Sequence, residues 1–242
     1  MFSRLHFVIY LLCSGLLLLL TGCTSIPPGQ EDPKDPLQSY NRSMYKFNEG
    51  LDSYVIKPVA QGYKTVTPGF FRDGISNFFS NIGDITVFLN DLLQGKVTQG
   101  GEDAGRFVVN TTVGLLGFID VAKHIGLEKH NEDFGQTLAV WGWDESPYLV
   151  LPLLGPSTIR DGLGLAAAYP FSFYANSHAN NTHLTEIGAL EVVNTRSGLL
   201  AATNVLQTAA LDPYTFVRDA YLQRRRNLIY DGHPPHNKED DE

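Results

Sequence analysis

The sequence predicts an all-α domain with one short β-hairpin, lying partly within a lipid bilayer. Apolar residues recur at helical spacing over two long segments, whereas strand-like residues are confined to one stretch. Two further segments are uncharged but too short, or too often interrupted, to cross a bilayer. Each alone fits a core helix equally well, but both together favour partial immersion.

The N-terminus carries an export signal. Arg4 precedes an apolar stretch at residues 7–20, which is typical of a secretory signal peptide. The following Leu20-Thr21-Gly22-Cys23 resembles the lipobox of bacterial lipoproteins, where the chain is cut before a cysteine that becomes lipidated. We therefore expect residues 1–22 to be removed and Cys23 to carry the lipid. The alternative is an ordinary signal peptide followed by an unrelated cysteine.

Composition narrows the classes of function open to the mature chain. The 242 residues include 18 basic and 26 acidic side chains, and the net charge of −8 argues against nucleic-acid binding, which needs a basic surface. Cys13 departs with the signal, so no disulfide can form within the mature chain. We expect a lipidated tether at residues 23–34, a helical domain at 35–230 and a disordered acidic tail at 231–242.

The first two predicted helices are amphipathic. One begins at Asp35-Pro36, an acidic cap followed by proline, and Pro58 is expected to end or kink it. Another covers residues 71–93, and its internal Gly74 and Gly83 predict a bent or broken helix. The apolar positions that define these faces are Leu37, Tyr40, Met44, Phe47, Leu51 and Tyr54 in the first helix, and Phe71, Ile75, Phe78, Ile82, Ile85, Leu89 and Leu92 in the second.

A third helix is expected at residues 99–113, and it leads into a segment that is uncharged from 107 to 119. As a helix that segment would extend about 20 Å, whereas the hydrocarbon core of a bilayer is about 30 Å thick. Gly114 and Gly117 interrupt its second half and would let the chain turn back. The segment therefore suits about half the depth of a bilayer.

A short hairpin is predicted next, with strands at residues 140–143 and Tyr148–Leu151 and an acidic tip at 144–147. Gly155-Pro156-Ser157 then breaks the chain, and Ser157 is expected to cap a further helix. The remaining predicted elements are an uncharged span at 162–185 and closing helices at 183–202 and from Asp212-Pro213 onward.

No catalytic or metal-binding constellation is expected. Ser157 lacks the second glycine of a nucleophile elbow, and His178 and His183 lack both the spacing and the third ligand of a metal site. We therefore predict no enzymatic activity, no cofactor and no metal. Arg224-Arg225-Arg226 has two interpretations: it contacts lipid phosphates or the acidic rim of a partner, or it complements the helix dipole.

Five blocks of this sequence resemble, in order, the signature segments of the VacJ/MlaA lipoproteins. The resemblance extends from Asp35 to about Arg226, nearly the whole mature domain, and several blocks exceed ten residues. The tail is shorter than in some relatives, so no role of a long tail is carried over. The blocks are "DPLQSYNRSMYKFNEGLD", "RFVVNTTVGLLGFIDVA", "EDFGQTLAVWG", "LPLLGPSTIRDGLG" and "LDPYTFVRDAYLQRRR".

The resemblance implies a ring-like bundle of broken amphipathic helices, embedded in the inner leaflet of the outer membrane around an amphipathic channel. It implies that mislocalised phospholipids pass from the outer leaflet through this channel to a soluble periplasmic carrier, which maintains lipid asymmetry. It also implies association with trimeric porins and no use of ATP at this component.

Candidate residues for such a passage follow from polarity and from the resemblance. We expect polar side chains of the third helix to line it, with the two glycines at the turn beside it: Asn110, Thr111, Thr112, Gly114 and Gly117. Relatives place a mobile hairpin at the channel mouth, and the matching gate residues here are Trp141, Gly142 and Trp143. A static surface hairpin is the alternative interpretation.

A structural lipoprotein that binds porins and moves no lipid is the rival to this function, and a lipid-cleaving enzyme is a weaker one. The transporter and the structural lipoprotein share the anchor and the helices. They differ in whether a continuous amphipathic passage exists, which helical periodicity does not show.

Overall fold

The computed structural model describes residue 32, residues 34–171 and residues 182–235, without the side chains of residues 171, 182–185, 207 and 209. The predicted signal peptide, Cys23 and most of the tether lie outside the described residues, as do residues 236–242 of the predicted tail. The described part is predominantly helical. No helix within it is both long enough and apolar enough to span a membrane.

The described chain opens with a nearly continuous helical run: α1 (Gln38–Leu51), a π-helical turn (Asp52–Ile56) and α2 (Lys57–Val66). Pro58 lies in the first turn of α2, where proline is tolerated, and it does not end the run. The prediction that Asp35 caps α1 is wrong. Its buried carboxylate instead accepts a hydrogen bond from Asn41 Nδ2 at 2.7 Å, and the helix begins after Leu37.

The second amphipathic segment, predicted to be bent or broken, forms a single helix of 25 residues, α3 (Gly69–Leu93), which is not broken at either glycine. Gly74 serves packing, because a Cβ at this position would lie only 2.1 Å from the Phe118 ring. A glycine costs a helix only about 1 kcal/mol relative to alanine. The packing of so long a helix against its neighbours outweighs that cost.

The third predicted helix is confirmed as α4 (Val97–Thr112), which runs back along α3 after a turn at Gly95. The chain then turns sharply, as predicted, through left-handed conformations at Leu115, Leu116 and Gly117, with φ of 53°, 60° and 89°. A short helix, α5 (Val121–His124), follows this turn.

The hairpin lies further along the chain than predicted. Among the described residues its strands are β1 (Tyr148–Leu151) and β2 (Gly155–Thr158), antiparallel, with Tyr148 opposite Thr158. Trp141 and Trp143 cannot form a strand because their backbone N–H groups complete the end of α6 (Phe134–Val140), each donating at 3.0 Å to a carbonyl of that helix. The acidic stretch 144–147 is a loop between α6 and β1.

Three further α-helices complete the described chain, α7 (Ile159–Ala168), α8 (Thr182–Ala209) and α9 (Pro213–Ile229), and a 3₁₀ turn at Tyr169–Phe171 follows α7. The prediction that Ser157 caps α7 is wrong, since Ser157 lies in β2 and the Thr158 hydroxyl accepts the capping hydrogen bond. The start of α9 is confirmed, with the Asp212 carboxylate accepting from Tyr214 N at 3.1 Å. Residues 172–181 of the predicted uncharged span lie outside the described residues.

Candidate functional site

Around α3 and α4 the polarity of this protein is inverted relative to a water-soluble domain, whereas Tyr148, Val150 and Tyr214 form an apolar cluster elsewhere. Asn90, Asp91 and Asp103 are completely buried, whereas Leu115 and Leu116 are 67% and 66% exposed. Soluble proteins rarely bury carboxylates so fully, and large contiguous apolar surfaces mark sites of membrane or protein contact. The candidate functional site is therefore a polar interior enclosed by an apolar shell.

One wall of this polar interior is a stripe on α3. Asn77, Asn81, Asp84 and Asp91 recur at steps of four, three and seven, which places them on one helix face. Asn81, Asp84 and Asp91 are buried there. The apolar face predicted for this helix points elsewhere, and its members Phe71, Ile85 and Leu92 are exposed. The polar face of α3, rather than its apolar face, is turned toward the protein.

The facing wall is a stripe on α4. Gly100, Asp103, Arg106 and Asn110 follow one another at steps of three and four, and all four are buried. A Cβ at Gly100 would lie 3.2 Å from the Cβ of Asp91, so the two helices approach closely at this point. The two polar stripes therefore meet along the α3–α4 pair.

At one end of this pair, the Arg106 guanidinium organises a hydrogen-bonded network. Its Nη2 lies 2.9 Å from each carboxylate oxygen of Asp120, and its Nη1 donates to the Leu127 carbonyl at 2.8 Å. Although burial opposes ionisation of Asp120, hydrogen bonds from Arg106 and Asn110 hold its pKa below the usual value. A charged, fully partnered carboxylate therefore fixes α5 against α4.

The predicted passage residues all lie at this end. Asn110 is buried, donates to Asp120 Oδ1 at 3.0 Å and accepts from Ala122 N at 2.9 Å. Thr111 Oγ1 accepts from Asn81 Nδ2 at 2.8 Å, whereas the exposed Thr112 hydroxyl donates to a carbonyl of its own helix.

The two glycines of this group lie in close contacts of the turn. A Cβ at Gly114 would lie 2.2 Å from the Ile119 carbonyl oxygen, and one at Gly117 would lie 2.6 Å from Asn81 Cβ. The chain therefore has no room for a larger residue at either position. The role of these five residues in lining a passage stays a prediction.

At the other end, carboxylates crowd together. Asp103 accepts from His130 Nδ1 at 2.7 Å, while no donor group reaches either oxygen of an ionised Asp91. Burial raises the pKa of Asp91 to about 7, and the charges of Asp103 and Glu132 add to the effect. Burial likewise raises the pKa of Glu132, although Lys96 Nζ lies 3.0 Å from its carboxylate. Asp91 therefore holds a proton more readily than an exposed aspartate does.

The predicted gate residues lie in the loop that follows α6. Trp141 and Trp143 are 62% and 39% exposed, and Gly142 has a φ of 111° that disfavours other residues. The indole Nε1 of Trp141 donates to the Leu93 carbonyl at 3.1 Å, which places the loop beside the end of α3. Arg160 Nη1 donates to the carbonyl of Trp143 at 3.0 Å. Gating by this loop stays a prediction.

The arginine cluster of α9 divides between the interior and the surface. Arg225 is buried and makes hydrogen bonds of 2.5 and 2.6 Å to Asp133 and of 2.8 Å to Asp161. Although burial opposes ionisation of Asp133, the hydrogen bonds from Arg225 hold its pKa below the usual value. Arg225 thus joins α9 to the body of the protein, a role that neither interpretation of the sequence included. Arg224 is exposed.

The residues weighed as a nucleophile or as metal ligands were Ser157 and the histidines. Ser157 is buried, and its hydroxyl donates to the Thr158 carbonyl at 3.1 Å. The described residues contain no group of three or more His, Cys, Asp or Glu side chains placed to hold a metal ion. His178 lies outside the described residues.

The polar interior was not predicted from the sequence. Asn81, Asp84 and Asp91 on α3, and Arg106 on α4, were not among the residues considered, and Asp103 was expected to be solvated at a helix start although it is buried. The available signal was their helical spacing on a face separate from the apolar one. That spacing is equally typical of a solvent-exposed face, so only the packing of α3 against α4 distinguishes the two.

Known proteins resemble this chain over most of its length. The MlaA lipoprotein family matches residues 33–228. An intermembrane phospholipid transport system lipoprotein MlaA of Shigella flexneri is 39% identical over 216 residues, which are 85% of this chain and 82% of that protein. The protein of that name from Haemophilus influenzae is 31% identical over 230 residues, 92% of this chain and 90% of that one.

A solved structure also matches the fold. It comes from work on the structural basis for maintenance of bacterial outer membrane lipid asymmetry, and it aligns with a TM-score of 0.70 at 34% identity. The alignment covers 81% of this chain and 98% of that chain. The similarity in sequence and the similarity in fold therefore extend over the same helical domain.

Proposed function

Because the chain belongs to the MlaA lipoprotein family, we propose that it is an outer-membrane component of an intermembrane phospholipid transport system. The observation that carries this proposal is the inverted polarity, with buried Asp91, Asp103 and Arg106 inside a shell of exposed leucines. A phospholipid has a charged headgroup and apolar tails. A polar interior within an apolar shell offers each part a matching environment.

We place the protein at the periplasmic face of the outer membrane, with its apolar shell in the inner leaflet. The exposed Leu115, Leu116, Leu153 and Leu154 support this placement, since each is about two-thirds exposed at the tip of a turn or hairpin. Moving apolar side chains at such tips from water into lipid is favourable by about 25 cal/mol per Å² of buried area. Immersion to the depth of one leaflet requires no helix that spans the bilayer.

Cys23 is proposed as the lipid anchor, on the basis of the lipobox. A single acyl chain gives only marginal membrane binding, whereas several chains anchor a protein firmly. Mass spectrometry of the mature protein should find Cys23 as the N-terminal residue with lipid attached. An unmodified Cys23, or a mature chain that begins elsewhere, would contradict the proposal.

The finer steps are also proposals. Phospholipids that have reached the outer leaflet would enter the polar interior and pass to a soluble periplasmic carrier, while the ring associates with trimeric porins. The resemblance in sequence supports these partners. No ATP would be needed at this component, because the energy source would lie at the inner membrane.

Deleting the gene and measuring phospholipid in the outer leaflet tests the function. Intact cells would be treated with a membrane-impermeant amine reagent, and labelled phosphatidylethanolamine would be quantified by mass spectrometry. Labelling should rise in the deletion strain and return to the parental level when the wild-type gene is restored. If the deletion strain loses its porin trimers while its phosphatidylethanolamine labelling stays at the parental level, the result would favour the rival function, a structural porin-associated lipoprotein.

A further inference from the structure

The end of α9 and the segment after it border an open groove of about 640 Å³. Gln223, Arg224 and Asn227 lie on one face of the helix and form the first wall. The chain then reverses through left-handed conformations at Asp231 and Gly232, with φ of 48° and 82°.

The reversal is held by backbone hydrogen bonds. Gly232 N donates to the Asn227 carbonyl at 2.8 Å, and His233 N donates to the Tyr230 carbonyl at 2.8 Å. This turn brings Pro234 and Pro235 back to form the second wall.

The groove is cationic in an acidic protein. Two guanidinium groups and two side-chain amides line it, and its lining includes no carboxylate, although the chain has a net charge of −8. Arg226 Nη2 donates to the Pro235 carbonyl and so holds the second wall in place. The neighbouring Arg225 is fixed inside the protein by Asp133 and Asp161, which sets the rotation of the helix.

Arg224 differs from the other arginines in the described part of the chain. Each of the others is buried or half-buried and donates to a carboxylate or a backbone carbonyl: Arg42, Arg72, Arg106, Arg160, Arg196, Arg218, Arg225 and Arg226. Arg224 has no hydrogen bond or ion pair with any described residue, and it lines the groove. No described residue therefore occupies its donors.

We propose that this groove binds a phosphate group. A guanidinium offers planar paired donors that match two phosphate oxygens, and the amides of Gln223 and Asn227 supply further donors. Two sources share this chemistry: the phosphate of a phospholipid headgroup, and free phosphate or a soluble phosphomonoester. The phosphate site stands independently of the proposed transport function, and only the lipid source rests on it.

The test titrates the full-length lipidated protein, in uncharged detergent micelles, with two separate probes. One probe is dihexanoylphosphatidylglycerol and the other is inorganic phosphate, with binding measured by calorimetry. Arg224→Gln should weaken binding about tenfold, corresponding to the loss of one charge-assisted hydrogen-bonding group at about 1.4 kcal/mol. The affinity of Arg224→Lys should fall between those of the wild type and Arg224→Gln, because lysine keeps the charge but not the paired donors.

Lys46→Gln is the matched control, since Lys46 is an exposed cation on α1 far along the chain from the groove. It should leave binding unchanged, and circular dichroism should show that every variant remains folded. A loss seen only with the lipid probe supports a headgroup site, and a loss with both probes supports a general phosphate site. Equal binding by the wild type and Arg224→Gln, or no binding of either probe by the wild type, would overturn the proposal. The labelling experiment on cells reports on transport separately.

Discussion

At the scale of single residues, Asp91 has an environment that disfavours its charged form. Its side chain is fully buried on α3, no donor group reaches its ionised carboxylate, and a hydrogen bond with Asp103 favours the protonated form. Asp103, Glu132 and His130 are the titratable groups around it, and the two carboxylates disfavour a further negative charge. A proton on Asp91 removes that charge from the interior.

We therefore predict that stability falls as pH rises from about 4 to about 7. The folded protein keeps the Asp91 proton up to about pH 7, whereas the unfolded chain loses it near pH 4, so unfolding becomes easier across that window. At about 1.4 kcal/mol per pKa unit, the effect is at most of the order of 4 kcal/mol. Thermal unfolding in detergent micelles between pH 4 and pH 8 measures it.

Asp91→Asn resembles the protonated side chain and should remove this part of the pH dependence, leaving the variant more stable than the wild type at pH 8. Asp73→Asn is the control, because Asp73 is an exposed acid on the same helix. A wild type and an Asp91→Asn variant whose stabilities change in parallel with pH would show that Asp91 is ionised throughout.

At the scale of elements, the loop at 141–147 joins three parts of the fold. Trp141 contacts the end of α3, Arg160 of α7 holds the loop backbone, and Tyr230 Oη donates to Asp144 Oδ2 at 3.1 Å. The loop thus lies where the interior helices meet the end of α9. This position fits a gate and fits equally a fixed brace, so an experiment on the loop itself must separate them.

Linking the loop to α9 should block phospholipid transfer if the loop is a gate. Asp144→Cys with Tyr230→Cys would be bridged by a bifunctional methanethiosulfonate, and transfer of a fluorescent phospholipid to an acceptor would be followed before and after reduction. Transfer should stop when the link forms and recover when it is reduced. Each single-cysteine variant, treated identically, is the control. Equal transfer in the linked and reduced states would identify the loop as a fixed brace.

At the scale of the whole molecule, the proposed immersion in one leaflet depends on the exposed apolar side chains. The turn at Leu115 and Leu116 provides a clean test, because both residues adopt left-handed conformations that asparagine tolerates better than leucine. Replacing both by asparagine removes apolar surface without adding backbone strain.

Leu115→Asn with Leu116→Asn should weaken membrane binding by tenfold or more, since burying each leucine contributes roughly 1.5–3 kcal/mol. The measurement is co-sedimentation with phospholipid vesicles, in a Cys23→Ser background that removes the lipid anchor. Replacing both leucines by methionine, which keeps the apolar surface, should leave binding unchanged. Unaltered binding of the asparagine variant would place this turn outside the bilayer.

The sequence by itself determined those features that depend on residues close together in the chain, namely the positions of helices, a helix start and a turn. Helical spacing located α3, α4 and α9, the Asp212-Pro213 pair marked the start of α9, and Gly117 marked a turn. Each of these features arises within a few residues of chain, where backbone hydrogen bonds, caps and the conformational freedom of glycine act. The membership of the family was carried by the same local blocks.

Only the tertiary structure decided which face of each helix is turned inward. The pattern of an amphipathic helix does not specify whether its polar face contacts water or the protein interior. The packing of α4 against the stripe that ends at Asp91 shows that this polar face is buried. The hairpin likewise depends on hydrogen bonds between strands. The backbone N–H of Trp141 is not available for them, because it donates to a carbonyl at the end of α6. Contacts such as Arg225 with Asp133 join residues far apart in the chain, and no local pattern specifies them.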